Sequence, residues 1–167
     1  MSLRQVQNGT TTSFDLTGLS SLSNGIGWIS NKISIGSGAP LVGPDKLKIT
    51  FKFAMGVVTQ GQPVEFCWIE QDGGGYVTAA NLTLTAAGQL TSTGGVLPTN
   101  MTASYLRDQL RQISLQNMSV STTGTVYAGT FDVWSPGPAG ALYVYDNSGG
   151  NLSAASLYYT TVIDIIQ

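Results

Sequence analysis

The sequence predicts an all-β protein, an antiparallel two-sheet β-sandwich of jelly-roll or lectin-like type with one short helix near residues 103–112. Three observations predict it: period-two alternation of apolar residues, turn chemistry at short intervals, and a single stretch of helical periodicity. The alternation is clearest from Asp45 to Met55, where Leu47, Ile49, Phe51, Phe53 and Met55 point one way and Lys46, Lys48, Thr50 and Lys52 the other. A strand with one apolar and one charged face belongs to an antiparallel sheet, with one side on a core and the other toward solvent or a partner. The lysines also discourage unwanted edge pairing.

Similar segments recur at Trp28–Ile35, Val64–Glu70, Tyr76–Leu84, Ile113–Val120, Thr125–Val133, Ala141–Tyr145 and Leu157–Ile166. Between them lie Gly36-Ser37-Gly38-Ala39-Pro40, Asp72-Gly73-Gly74-Gly75 and Asn147-Ser148-Gly149-Gly150-Asn151, which supply the backbone conformations that turns require. The helical candidate is Ala103 to Gln112, with Leu106 and Leu110 on one side. At two to three turns it would form only by docking on the sandwich.

A chain of 167 residues, 42% hydrophobic, supports one domain with one core. Residues 1–15 read as an extended N-terminal arm and 16–167 as the sandwich. Charged residues make up 10% of the chain, against roughly 25% in ordinary soluble domains. Hydroxyls and amides must therefore cover the surface. With a net charge of −2 and no basic cluster, nucleic acid is not expected as a partner. No stretch approaches a signal peptide or the ~20 apolar residues of a membrane span, so membrane contact is not expected and synthesis in a cytoplasm is.

The chain contains no histidine, which removes Ser-His-Asp and Cys-His catalysis. With one cysteine, Cys67, neither an internal disulfide nor a structural zinc site is expected. Cys67 reads as a buried, inert thiol. The carboxylates have ordinary roles: Asp45 and Asp146 flank turns, Asp72 opens a glycine-rich turn, and Asp108 lies on the solvent side of the expected helix. The two Asp-containing loops lack the spaced ligands of a calcium site. No cofactor, metal or catalytic residue is assigned, and the protein is expected not to be an enzyme. Five Asn-x-Ser/Thr triplets, at Asn8, Asn81, Asn100, Asn117 and Asn151, reflect an Asn-, Ser- and Thr-rich composition.

Partner contact is the expected function, and surplus apolar faces are its sign. In Leu157–Ile166 both alternating sets are largely apolar, and along Ala141–Tyr145 the rings of Tyr143 and Tyr145 share a face opposite Leu142 and Val144. A sandwich strand needs one apolar face, so the other is covered either by the chain or by another protein. Adjacent Tyr158 and Tyr159 must point to opposite faces. The candidate contact residues are therefore Lys46, Lys48, Lys52, Tyr143, Tyr145 and Tyr158.

Several segments carry a resemblance: Phe14-Asp15-Leu16-Thr17-Gly18-Leu19-Ser20-Ser21-Leu22, Gly27-Trp28-Ile29-Ser30, Asp45-Lys46-Leu47, and Leu142 to Leu152 followed by Leu157-Tyr158-Tyr159-Thr160-Thr161-Val162. In these the chain resembles the jelly-roll capsid cement, or decoration, proteins of tailed bacteriophages. The resemblance implies a structural virion protein on the capsid surface that bridges neighbouring major capsid subunits and stabilises the head, as a homo-oligomer, trimer or dimer. The alternative is a carbohydrate- or receptor-binding sandwich module of a phage tail or fibre, suggested by Trp and Tyr residues beside glycine-rich loops.

Overall fold

The computed structural model describes residues 4–16, 18–30, 33–36, 43–58, 63–72, 75–76, 82–84, 90–92, 112–119 and 126–166. Its strands are β1 (Arg4–Ser13), β2 (Ile26–Ile29), β3 (Ile33–Ser34), β4 (Lys46–Met55), β5 (Pro63–Asp72), β6 (Gly75–Tyr76), β7 (Leu82–Leu84), β8 (Leu90–Ser92), β9 (Gln112–Ser119), β10 (Val126–Trp134), β11 (Ala139–Asp146) and β12 (Leu152–Ile166). Among the described residues the helical content is one 3-10 turn, Leu19–Ser21.

The protein is an antiparallel two-sheet β-sandwich. The first sheet runs β1-β12-β4-β10, and the second is built on β2-β11-β5, with β3 beside β11 and β9 beside β5. A separate ribbon pairs β7 with β8. Every named pairing is antiparallel. β4 buries the face the sequence assigns to the core, with Leu47, Ile49 and Phe53 fully buried and Lys48, Thr50 and Lys52 exposed.

The core lies between the sheets. Phe66 of β5 stacks on Phe51 and Phe53 of β4, with ring centroids 4.9 and 5.7 Å apart, and meets Phe131 of β10 at 5.2 Å. Trp68 is fully buried, and its indole Nε1–H donates to the Pro136 carbonyl at 2.8 Å, so its polar atom is satisfied. The Ser135–Pro138 turn that offers this carbonyl holds Ser135 at φ 50° and Gly137 at φ 75°. Gly140 follows it because a Cβ there would lie 2.5 Å from both the Ile69 carbonyl and the Trp68 ring.

Several boundaries differ from the expected ones. The expected arm, 1–15, is extended but not detached: β1 pairs along β12 from Arg4↔Ile166 to Ser13↔Tyr158, with a bulge between Asn8 and Thr11. Phe14 is buried in the core, so the chain is anchored before residue 16. The expected Trp28–Ile35 strand is two pieces, β2 and β3, both on β11. Gln112, the last residue of the expected helix, begins β9, while 103–111 lie outside the described residues.

The turn after β11 is organised by its first residue. Asp146 is fully buried, its Oδ1 accepts the Ser148 N–H at 2.9 Å, and among the described residues its Oδ2 meets no hydrogen-bond donor. Burial pushes this carboxyl above its ordinary pKa, while the Ser148 hydroxyl and N–H and the nearby Leu152 N–H pull the other way. A raised folded-state pKa means the folded protein holds a proton that the unfolded chain releases. The stabilising contribution is full below about pH 4 and declines as pH rises through the folded value. Asp146→Asn keeps the acceptor and removes the buried charge, so its melting temperature relative to wild type is expected to rise from acid toward neutral pH. Thermal melts across that range check this; an unchanged difference would remove the buried carboxylate as the cause.

Candidate functional site: the outer face of the first sheet

The register of the first sheet assembles an outer face from three strands. Because cross-strand partners share a face, rows run Trp134–Lys46–Val162, Asp132–Lys48–Thr160, Thr130–Thr50–Tyr158 and Ala128–Lys52–Ser156, with Val162 itself buried. β1 extends them with Thr11 beside Thr160 and Ser13 beside Tyr158. Four of the six predicted contact residues, Lys46, Lys48, Lys52 and Tyr158, therefore meet on one surface.

Their environments differ. Lys48 and Lys52 are exposed, and Tyr158 is 40% exposed. Lys46 is half-buried; its Nζ donates to Asp132 Oδ2 at 2.8 Å and lies 5.0 Å from the centroid of the Trp134 ring. That ring is 57% exposed, so the ammonium group fixes an aromatic platform at the corner of the sheet. Between the charges run hydroxyl pairs: Thr11–Thr160 at 2.8 Å and Thr50–Thr130 at 3.1 Å. Threonines tied to one another lose little side-chain freedom on contact with a partner, and a surface of tied hydroxyls sheds water at modest cost.

The other two candidates sit on β11 in the second sheet, away from this face. Tyr143 is a correction: it is 3% exposed, packed with its ring against Gly27, where a Cβ would collide with it. It lies on the face of β11 opposite the core between the sheets, and its burial there leaves it no surface to offer a partner. Tyr145 is half-buried and paired in register with Gly27 and Glu65. The apolar face they share, with Cys67, Ile69 and Ala141, is covered by the chain itself. Burial and the neighbouring Glu65 carboxylate push the Cys67 thiol up to about 12, so it stays protonated and unreactive at neutral pH.

Trp134, one of the rings behind the carbohydrate-binding alternative, joins this face although it is not among the six candidate contact residues. It closes the Thr125–Val133 alternation one residue beyond its expected end, on the same side as Thr130 and Asp132, and that parity is the signal for an exposed ring.

A second feature is a small cleft of about 230 Å³ at the end of the sandwich, between Ser13–Asp15, Ser30, Ile33–Ser34 and Tyr159. It falls below the size of sites that take drug-sized ligands, ~300–1,000 Å³. Among the described residues no group of three or more Cys, Asp or Glu is placed to hold a metal ion. No described helix is long and apolar enough to cross a membrane.

No family model and no curated protein matches the sequence. Among solved structures, the chain is similar to dimeric latent PorU from Porphyromonas gingivalis, at 9% identity and a TM-score of 0.38, covering 98% of this chain and 13% of that one. It is similar to peanut lectin with a 9mer peptide, at 11% identity and 0.33, covering 100% and 98%. It is also similar to a CBM4 carbohydrate-binding module, at 11% identity and 0.29, covering 94% and 86%. The chain spans about an eighth of the PorU chain and nearly all of the lectin's.

Proposed function

We propose that the protein is a structural virion component that acts by adhesion rather than catalysis, docking the outer face of its first sheet on a phage capsid and bridging neighbouring major capsid subunits. The observation that carries this reading is the convergence of Lys46, Lys48, Lys52 and Tyr158 on one exposed, hydroxyl-rich face beside the Trp134 ring. Aromatic anchors ringed by polar groups are the composition of binding hot spots. The scarcity of charge supports it too, since few ions need be stripped of water when the face is covered. Each contact needs only moderate strength, because repeated attachment across a symmetric shell gains from avidity. In this reading the protein is made in the host cytoplasm and resides on the head surface, without nucleic acid, membrane or cofactor.

A second reading, a carbohydrate- or receptor-binding module of a tail or fibre, is favoured by the same exposed Trp134 ring, a platform on which a sugar could stack. Imaging of the native particle separates the two. Stoichiometric copies between capsomers are expected; density at the tail alone would reject the capsid role in favour of the second reading.

A further inference from the structure

We propose that Asn8, at the bulge of β1, is a site of spontaneous covalent conversion, in which its side-chain amide is lost through a cyclic imide with Gly9 and replaced by a carboxylate, whereas the fold holds the chain's second Asn-Gly dipeptide, Asn24-Gly25, unreactive. This inference does not depend on where the protein acts.

Both dipeptides carry the same local chemistry. With glycine next in the chain, no Cβ hinders the approach of the following backbone nitrogen to the asparagine side chain. In the reaction that nitrogen gives up its proton and bonds to the asparagine Cγ, the Cγ–Nδ2 bond breaks, and the amide group takes a proton and leaves as ammonia. Water then opens the ring. Addition at Cγ leaves aspartate; addition at the main-chain carbonyl carbon leaves isoaspartate, whose chain runs one carbon longer through the side chain. No oxidant, reductant or second protein is consumed.

Tertiary structure separates the two sites. β1 keeps register with β12 to Asn8↔Val162 and resumes at Thr11↔Thr160, so Gly9 and Thr10 have no register partner on β12. A bulge disrupts the ladder where it sits, and turning the Asn8-Gly9 peptide toward ring closure gives up less pairing than the same turn inside a regular run. Asn8, Gly9 and Thr10 are all exposed, so water reaches the ring once it forms. Packing also fixes the glycine, because a Cβ at residue 9 would collide with the Thr161 hydroxyl. The bulge therefore retains the one residue type that leaves Asn8 open to attack.

Asn24-Gly25 is held on both sides of the bond that would form. Asn24 Oδ1 accepts the Gly149 N–H at 2.8 Å, which ties the side chain to the turn between β11 and β12. The Gly25 N–H, the nitrogen that would attack, donates to the Asp146 carbonyl at 2.7 Å. Ring closure must give up both bonds first, and two ordinary hydrogen bonds slow it by about tenfold or more.

The product changes the surface. Asn8 shares a face with its partner Val162, so it extends the row of Lys46 and Trp134, and conversion sets a new carboxylate on the outer face of a chain whose net charge is −2.

The test follows the full chain, incubated folded at mildly alkaline pH and sampled over time. Trypsin releases one peptide, Gln5 to Lys32, that carries both dipeptides, and fragmentation in the mass spectrometer assigns each amide-to-acid exchange to its residue. Asn8 should convert at least about tenfold faster than Asn24 and give both aspartate and isoaspartate. In denaturant, with the tertiary hold removed, the two should convert at similar rates. Asn8→Gln, which would have to close a larger ring, should lose the exchange at residue 8. Conversion of Asn24 as fast as Asn8 in the folded protein would overturn the proposal. So would an Asn8 amide that survives folded incubation while its denatured counterpart is lost, because β1 would then protect it.

Discussion

Phe66→Ala is expected to cost about 3–5 kcal/mol of folding stability, the range for truncating a fully buried aromatic ring. Phe66 is fully buried and is one of the rings through which the two sheets touch. It stacks on Phe51 and Phe53 and meets Phe131, so two strands of the facing sheet, β4 and β10, converge on it. Truncation removes the transfer energy of the ring and leaves a void that neighbouring rings fill only partly, because β4 and β5 are each held by ladders on both sides. Domains of this size hold about 5–15 kcal/mol in total, so the variant should sit close to its unfolding threshold. Urea unfolding followed by tryptophan fluorescence would measure the midpoint shift. A loss below about 1 kcal/mol would mean that the two sheets are not joined through this ring.

Tyr158→Ala and Lys48→Glu are expected to abolish attachment to capsids while leaving the fold intact. Both side chains stand on the outer face, so their removal from the isolated protein should cost within about 0.5 kcal/mol. Truncating a central interface aromatic typically costs 2–4 kcal/mol of binding, roughly thirty- to a thousandfold in affinity. Reversal at Lys48 places a carboxylate beside Asp132, its register partner on β10, making that row acidic. Co-sedimentation with heads stripped of the protein would read the effect, with Val57→Ala as a control: Val57 is 71% exposed but lies beyond the end of β4. Undiminished attachment of both variants would exclude this face and direct attention to the loops.

What could be read from the sequence follows from what each strand is asked to bury. β4 was legible because it has one face on the core and one in water, and that asymmetry writes itself as alternation. β11 was legible as a strand but not as to its surroundings. Ala139 through Val144 are all buried, so both faces are apolar and nothing local says which cover is the chain and which a partner. That is why Tyr143 and Tyr158 looked alike as contact candidates, although the fold covers one and exposes the other. β1 was missed as a strand because an edge strand exposed on both faces has no hydrophobic signature. Its partner, β12, lies at the far end of the chain, where Thr11 meets Thr160.

The sequence by itself determined the class of the protein: strands in antiparallel sheets, a surface of hydroxyls rather than charges, and no histidine on which to build acid–base chemistry. These are properties of composition and short-range period, which the backbone imposes wherever the segment lies. The tertiary structure alone decided the neighbours: that β12 lies between β1 and β4, that Lys46 holds Trp134 at a corner, and that β10 pairs with β4. Pairing order is a long-range choice, set by which faces can be buried together, and no window of local sequence contains it.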